Sequence, residues 1–245
     1  MMNITILGCW GGFPKANEAS SGYLIEQDGF KLLLDCGSAV LSKLQNHLKP
    51  AELGAVILSH YHADHIADIG VLQHALLIDS FTDKTRSEPL PIYGHDEADG
   101  FGTLTYKHIT KGAAYDPKNN LHVGPFLISF FKTEHPVPCY AMKITNGNDT
   151  VVYTADTAFK KELSSFAKGA DVLLAESNFY KGMDGASAGH MTAEQAGMLA
   201  QEAGVNTLVL THLPHFGELE QLAREASEQF DGTILLAKEN MEIGL

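Results

Sequence analysis

Short apolar runs rich in Val, Ile and Leu alternate along this chain with stretches of helical periodicity. Ile4 to Leu7 predicts a strand that stops in Gly8-Cys9-Trp10-Gly11-Gly12, a turn too irregular for a GxGxxG phosphate loop and read as a loop close to the chemistry. Ser21 to Glu26 and Phe30 to Leu34 predict a hairpin about Gln27-Asp28-Gly29, followed by a helix from about Ala39 to Leu48 that Pro50 stops. Ala55 to Leu58 is a strand, Asp64 to about Ile78 a helix, and Pro89 to Tyr93 a further strand. From Gly94 to Asn120 no period dominates, and the segment is expected to be a helix with a lid or an insert. Phe126 to Lys132, Cys139 to Thr145 and Thr150 to Thr154 predict antiparallel strands, the last two joined at Asn146-Gly147-Asn148-Asp149. The remainder alternates helix and strand: helices over 160–168, 192–203 and 217–229, strands over 171–175, 207–210 and 233–237. The 192–203 helix opens on a Thr-x-x-Gln capping box and ends at Gly204. The pattern is that of an α/β fold. With no repeat, linker or low-complexity segment, one domain over 1–245 is expected.

Composition narrows the setting. At 44% hydrophobic and 19% charged residues, 245 residues bury a sizeable core. Three cysteines, Cys9, Cys36 and Cys139, fall at no CxxC spacing, so buried free thiols are expected rather than a disulfide framework or a cysteine zinc site. The N-terminal stretch lacks a basic region followed by a long apolar one, and no apolar run approaches the roughly eighteen residues of a membrane helix. A cytoplasmic protein with no membrane association is the expectation. The formal net charge is −13, and no basic run occurs. Long nucleic acids take most of their affinity from clustered Lys and Arg, so they are disfavoured as partners. A small anionic substrate stays open, because bound metal offsets negative charge locally.

The candidate chemistry begins at Ser59-His60-Tyr61-His62-Ala63-Asp64-His65, directly after a strand. If the chain stays extended through His60 and His62, their side chains point to one side and chelate one ion together. Asp64 and His65, past the turn at a helix start, point elsewhere and suit a second ion. Imidazole and carboxylate donors favour zinc, manganese or iron. Three further polar residues follow apolar strands: His135, Asp156 and His212.

This H-x-H-x-D-H cluster with a later His, Asp and His resembles the metallo-β-lactamase fold superfamily across the whole chain, and Asp35 after its strand matches that family's first motif. The resemblance implies a four-layer αββα sandwich holding two divalent ions, zinc first, with manganese or iron as alternatives. It implies that His60, His62 and His135 hold one ion, that Asp64, His65 and His212 hold the other, and that Asp156 bridges. Two ions lower the pKa of a shared water and polarise the oxygens of the scissile group, an arrangement suited to displacement at phosphorus. Relatives on the same centre cleave carboxylic esters, thioesters and lactams, and diiron members do redox chemistry. Those redox members usually carry Glu at the position of His62 and an added flavin domain. Relatives are often dimers, which makes a homodimer an expectation.

A second cluster, Gly189-His190-Met191-Thr192, resembles the Gly-His-Ser-Thr-type loop of the phosphodiesterase branch, which includes the tRNA 3′-processing endonuclease RNase Z. The resemblance makes His190 a group that contacts a phosphate oxygen or protonates the leaving group, and Asp64 is counted among the catalytic residues. Glu176, directly after the 171–175 strand, is a candidate to orient His190, the other reading being an ordinary Glu at a strand end. The other reading of His190 is an incidental neighbour of a helix cap. RNase Z commonly inserts a tRNA-gripping arm between its lone His and its bridging Asp. Here two strands and a turn fill the interval from His135 to Asp156, which leaves no room for it. The expectation is therefore a phosphodiesterase acting on a small phosphodiester: a cyclic nucleotide, a cyclic ribose phosphate or a short oligonucleotide. The alternatives, in order, are an ester, thioester or lactone hydrolase, then tRNA processing or diiron redox chemistry. His47, His74, His95, His108 and His122 belong to no motif and are read as packing or surface residues, and His215 is a candidate for lining the pocket.

Overall fold

A computed structural model describes all 245 residues. The chain forms two compact units, one of Met1–Asp116 with 123–125 and Lys238–Gly244, the other of 117–122, Phe126–Ala237 and Leu245.

The first unit carries strands β1 (Asn3–Gly8), β2 (Gly22–Gln27), β3 (Phe30–Leu34), β4 (Ala55–Ile57), β5 (Leu90–Gly94) and β6 (Thr110–Ala114). Its helices are α1 (Val40–Leu44), α2 (Ala63–Ile66) and α3 (Ile69–Phe81). The hairpin predicted around Asp28-Gly29 joins β2 to β3, and both turn residues have the positive φ that such a turn requires. From β3 outward the sheet turns parallel through β4, β5 and β6. β4 is buried along its whole length, as an interior strand covered on both faces must be. Leu24, Leu33 and Val56 pack with Val40, Leu44, Leu72 and Leu76 of the helices into one apolar cluster.

Three expectations change here. The single helix expected over 64–78 is two, because the Asp68 amide donates to the Cys36 carbonyl (3.1 Å) rather than up the helix, while its carboxylate accepts from the Leu41 amide (2.9 Å). The helix expected from Ala39 to Leu48 keeps only five residues and begins after Ala39 at φ 67°. Neither a lid nor an inserted helix forms over 94–120: a short 3₁₀ stretch (Asp99–Leu104) leads into β6, which extends the sheet. Buried Gln73 fixes that stretch by donating to the Thr103 carbonyl (2.9 Å) and Thr110 Oγ1 (3.1 Å).

In the second unit a seven-stranded sheet runs from β7 (Leu121–Val123) through β8 (Phe126–Lys132), β9 (Tyr140–Thr145), β10 (Thr150–Tyr153), β11 (Val172–Glu176) and β12 (Thr207–Thr211) to β13 (Thr233–Leu236). β8, β9 and β10 are antiparallel as expected, and β10 to β13 are parallel. Phe126, Ile128 and Phe130 alternate inward along β8, the period-two pattern of a sheet with one face covered. Helices α4 (Lys161–Ala167), α5 (Ala193–Ala203) and α6 (Leu219–Ser227) connect the parallel strands. At the start of α5 the expected box is present: Thr192 Oγ1 accepts from the Gln195 amide, Gln195 Oε1 accepts from the Thr192 amide, and Gly204 closes the helix at φ 64°.

Three strands escape sequence reading: β6, β7 and β14 (Glu242–Gly244). β14 pairs antiparallel with β1 in the first unit, and its three residues are too few to show a period.

Candidate metal centre

In the first unit the cluster hangs from the ends of β3 and β4. Asp35 leaves β3 in the left-handed region (φ 56°), which only a fixed surrounding sustains. Its buried carboxylate accepts from the Ser59 amide (2.8 Å), the Ser59 hydroxyl (2.8 Å) and His65 Nδ1 (2.8 Å). His65 is thereby held with Nε2 turned toward Asp64 Oδ2, 3.5 Å away. Gly12 donates its amide to Asp64 Oδ2 (2.7 Å), so the glycine-rich turn after β1 does reach the cluster. Gly37 must be glycine, since a Cβ there would lie 1.9 Å from the Asp64 carbonyl oxygen.

His60 and His62 leave β4 on an extended stretch and turn to one side, His60 Nε2 lying 3.1 Å from His62 Nδ1. Asp64 and His65 stand on the first turn of α2, and the ring of His65 lies 4.1 Å from that of His60, centroid to centroid. Tyr61 points away: its hydroxyl donates to the His95 carbonyl, and its ring packs where Gly94 and Gly100 leave room. Burial pushes its phenol up, with Asp96 adding to the shift.

The second unit builds its donors from the ends of successive strands. His135 follows β8, Asp156 follows β10, Glu176 ends β11 and His212 follows β12. His135 donates Nδ1–H to the Gly189 carbonyl (3.0 Å), and Gly189 sits so close that a Cβ would come within 2.5 Å of Pro136. Asp156 Oδ2 stands between two rings, 3.3 Å from His212 Nε2 and 3.9 Å from His135 Nε2. His212, like Ala155 beside Asp156, has φ 51°. Fully buried Glu176 accepts from His190 Nδ1 (3.0 Å), the Thr157 amide (2.9 Å) and the Asn178 amide (3.3 Å). Donor atoms of Glu176, His190 and His212 lie within 4.8 Å of one another, and the rings of His190 and His212 stack at 5.2 Å. The cap of α5 is Thr192, which leaves His190 committed to Glu176.

This donor set fits divalent metal. His65 and His135 each tie Nδ1 to a carboxylate or carbonyl, the arrangement that fixes the tautomer and orients a metal-ligating imidazole. Asn178 stands outside every stretch that the sequence marks, whereas Gly12, Ser59 and Gly189 lie within marked stretches but carry no role there. Asn178 donates to the His212 carbonyl (2.9 Å). The remaining histidines pack or pair as expected: His95 is buried, His74 lies against Tyr106, and His47 meets Asn240 at 2.9 Å. All three cysteines are buried, and none is in a disulfide.

Comparison with known proteins bears on the class. A β-lactamase superfamily domain model matches residues 31–213, and the chain belongs to this family. The fold is the metallo-β-lactamase fold, and the protein is a metallo-hydrolase of that superfamily related to RNase Z. It is 55% identical over 238 residues, 97% of both chains, to the probable metallo-hydrolase YhfI of Bacillus subtilis. A crystal structure of YhfI superposes with a TM-score of 0.97 over 99% of this chain and 98% of that one. A diphosphatase from the PhnP family shares the fold at TM-score 0.80 and 16% identity, covering 100% and 98% of the two chains. The short form of human tRNase Z does so at 0.76 and 20%, covering 99% and 98%. No helix is long and apolar enough to cross a membrane.

Proposed function

We propose that this protein is a dinuclear metal-dependent phosphodiesterase acting on a small anionic phosphodiester in the cytoplasm, with both units serving one catalytic domain. In this reading, which follows the family's motif order, His60, His62 and His135 are the ligands of one ion, and Asp64, His65 and His212 those of the other. Asp156 is the bridge. Its Oδ2 placed between two imidazole nitrogens supports that assignment. Zinc is the ion that best suits a set of imidazoles and carboxylates, with manganese or iron as substitutes. Bound there, the ions supply Lewis acidity and an activated water.

The observation that carries the phosphodiester reading is the pair of buried Glu176 and His190, 3.0 Å apart. A carboxylate on Nδ1 keeps the proton at that nitrogen and raises the basicity of the ring, so His190 holds a proton for a departing alkoxide or steadies a phosphate oxygen. A thioester expels a weakly basic thiolate and needs no such donor, so the pair favours an ester whose leaving group is an alkoxide. The net charge of −13 supports a small substrate over a long nucleic acid.

Purified protein loaded with zinc, and separately with manganese, should cleave bis-p-nitrophenyl phosphate in preference to a simple lactone or thioester. The phosphodiester activity should disappear in His60→Ala, and His190→Ala should lose most on diesters whose leaving group is an alkoxide, such as a nucleoside 2′,3′-cyclic phosphate. Turnover of the lactone or thioester without phosphodiester cleavage would overturn the reading.

A further inference from the structure

Within the second unit, aromatic rings continue outward from the candidate centre. His212 stacks on His190 at 5.2 Å, His190 faces Phe179 at 6.1 Å and 30°, and Phe179 meets Phe216 edge to face at 6.3 Å and 67°. Exposure increases along this row: His212 is buried, His190 and Phe179 are half-buried, and Phe216 is 45% exposed.

Phe216 is not on a loose loop. Tyr180 donates its hydroxyl to the Phe216 carbonyl (2.9 Å), and its ring lies 5.8 Å from that of Phe216. Gly217, at φ 74°, lets the Tyr180 ring come within 2.5 Å of where a Cβ would stand. Phe179 is held as firmly: its amide donates to the Met191 carbonyl, its carbonyl accepts from the Ala193 amide, and its ring lies against Gly185. Backbone order thus fixes a large, partly exposed apolar ring in place beside a polar centre.

The two phenyl rings meet at about 67°, and the inner one faces His190. A flat heterocycle suits such a pair, stacking on one ring and meeting the edge of the other. The 6.1 Å from His190 to Phe179 is comparable to the span between the phosphate and the base of a mononucleotide. We infer that Phe179 and Phe216 form a base-stacking platform, and that the substrate is a phosphodiester carrying a nucleobase rather than a bare sugar phosphate. This rests on the phosphodiesterase reading above and adds what lies on the far side of the phosphate. The platform makes no hydrogen bond to base edges, so it distinguishes nucleotides from base-free esters and discriminates weakly among bases.

The test uses two esters with the same leaving group, thymidine 5′-(4-nitrophenyl) phosphate and methyl 4-nitrophenyl phosphate, on the metal-loaded protein. Wild type should show the lower KM for the thymidine ester. Because a stacked base contributes about tenfold to a hundredfold in affinity, Phe216→Ala and Phe179→Leu should each raise KM for the thymidine ester by about tenfold, with kcat within about a factor of two. The methyl ester should be unaffected. Phe216→Trp should restore or lower the KM, a rescue that a purely structural role would not give. Equal losses on both esters, or none on either, would overturn the platform while leaving the phosphodiesterase reading intact. Failure of wild type to cleave either ester would overturn both. Thermal melts of the variants separate misfolding from lost binding, and Phe216→Trp carries the test if Phe179→Leu does not fold.

Discussion

The two units supply their candidate ligands in opposite ways. The first draws four donors from six consecutive positions, His60 to His65, on one loop and one helical turn. The second gathers His135, Asp156, Glu176 and His212 from the ends of four strands, with His190 brought in ahead of α5. A contiguous cluster keeps its spacing even if its strand shifts. A dispersed one depends on register, because sliding β10, β11 or β12 by one residue turns each ligand to the other face. The dispersed half also holds its backbone under more strain at the ligands, with Ala155 and His212 both left-handed, against Asp35 alone at the corresponding strand end.

Removing a ligand from either unit should be the most damaging change. His60→Ala and Asp156→Asn should each lower activity by well over the 10–100-fold typical of lost outer partners, with metal content measured by atomic emission. If only the first unit mattered, Asp156→Asn would keep its metal. His190→Ala should retain metal and lose about 10²–10⁴-fold in kcat on phosphodiesters whose leaving group is an alkoxide, the range for a lost general acid. Next comes Asp35→Asn, which leaves a neutral amide facing His65 and Ser59 and should weaken metal binding about 10–100-fold in a chelator competition. Gly37→Ala drives a methyl into the Asp64 carbonyl and should cost about 1–3 kcal/mol in urea unfolding, more than the same change at open Gly70 beyond its helix-propensity gain.

The smallest effect is one of pH. Burial, followed by Glu18 and Glu239, pushes the Cys9 thiol up to about 12. A raised acid favours the protonated folded state, so its contribution is constant below about pH 9 and stability is lost as pH rises from 9 toward 12. Cys9→Ala should flatten that alkaline decline in chemical denaturation. At pH 8 neither Cys9 nor Cys36, also pushed up by burial, should react with a thiolate-directed reagent in the native protein.

What could be read from the residues alone follows the same division. The histidine run states its own chemistry, and its neighbours on β3 and β4 carry continuous apolar signals. His135, Asp156 and His212 were found only because each follows a well-marked strand. The hydrogen bond between Glu176 and His190 joins residues fourteen apart across a 3₁₀ turn, which no period encodes. Likewise, the break at Asp68 was hidden because the sequence stays helical across it, and only the Cys36 carbonyl from β3 diverts the amide. Close approaches at Gly37 and Gly189 depend on atoms distant in sequence, so their glycines looked no different from those of ordinary turns.

The pairing of β14 with β1 has a consequence for synthesis. Asn3, Ile4 and Thr5 sit opposite Gly244, Ile243 and Glu242, and Ile6 exchanges backbone hydrogen bonds with Asn240 and Met241. On a ribosome these partners emerge about 130 residues after β6, a delay of roughly 6–25 seconds at ordinary elongation rates. Through that interval the nascent chain exposes an apolar strand edge open to other chains. Chaperone occupancy on chains stalled behind an added spacer should therefore fall only once residues 240–244 have cleared the tunnel.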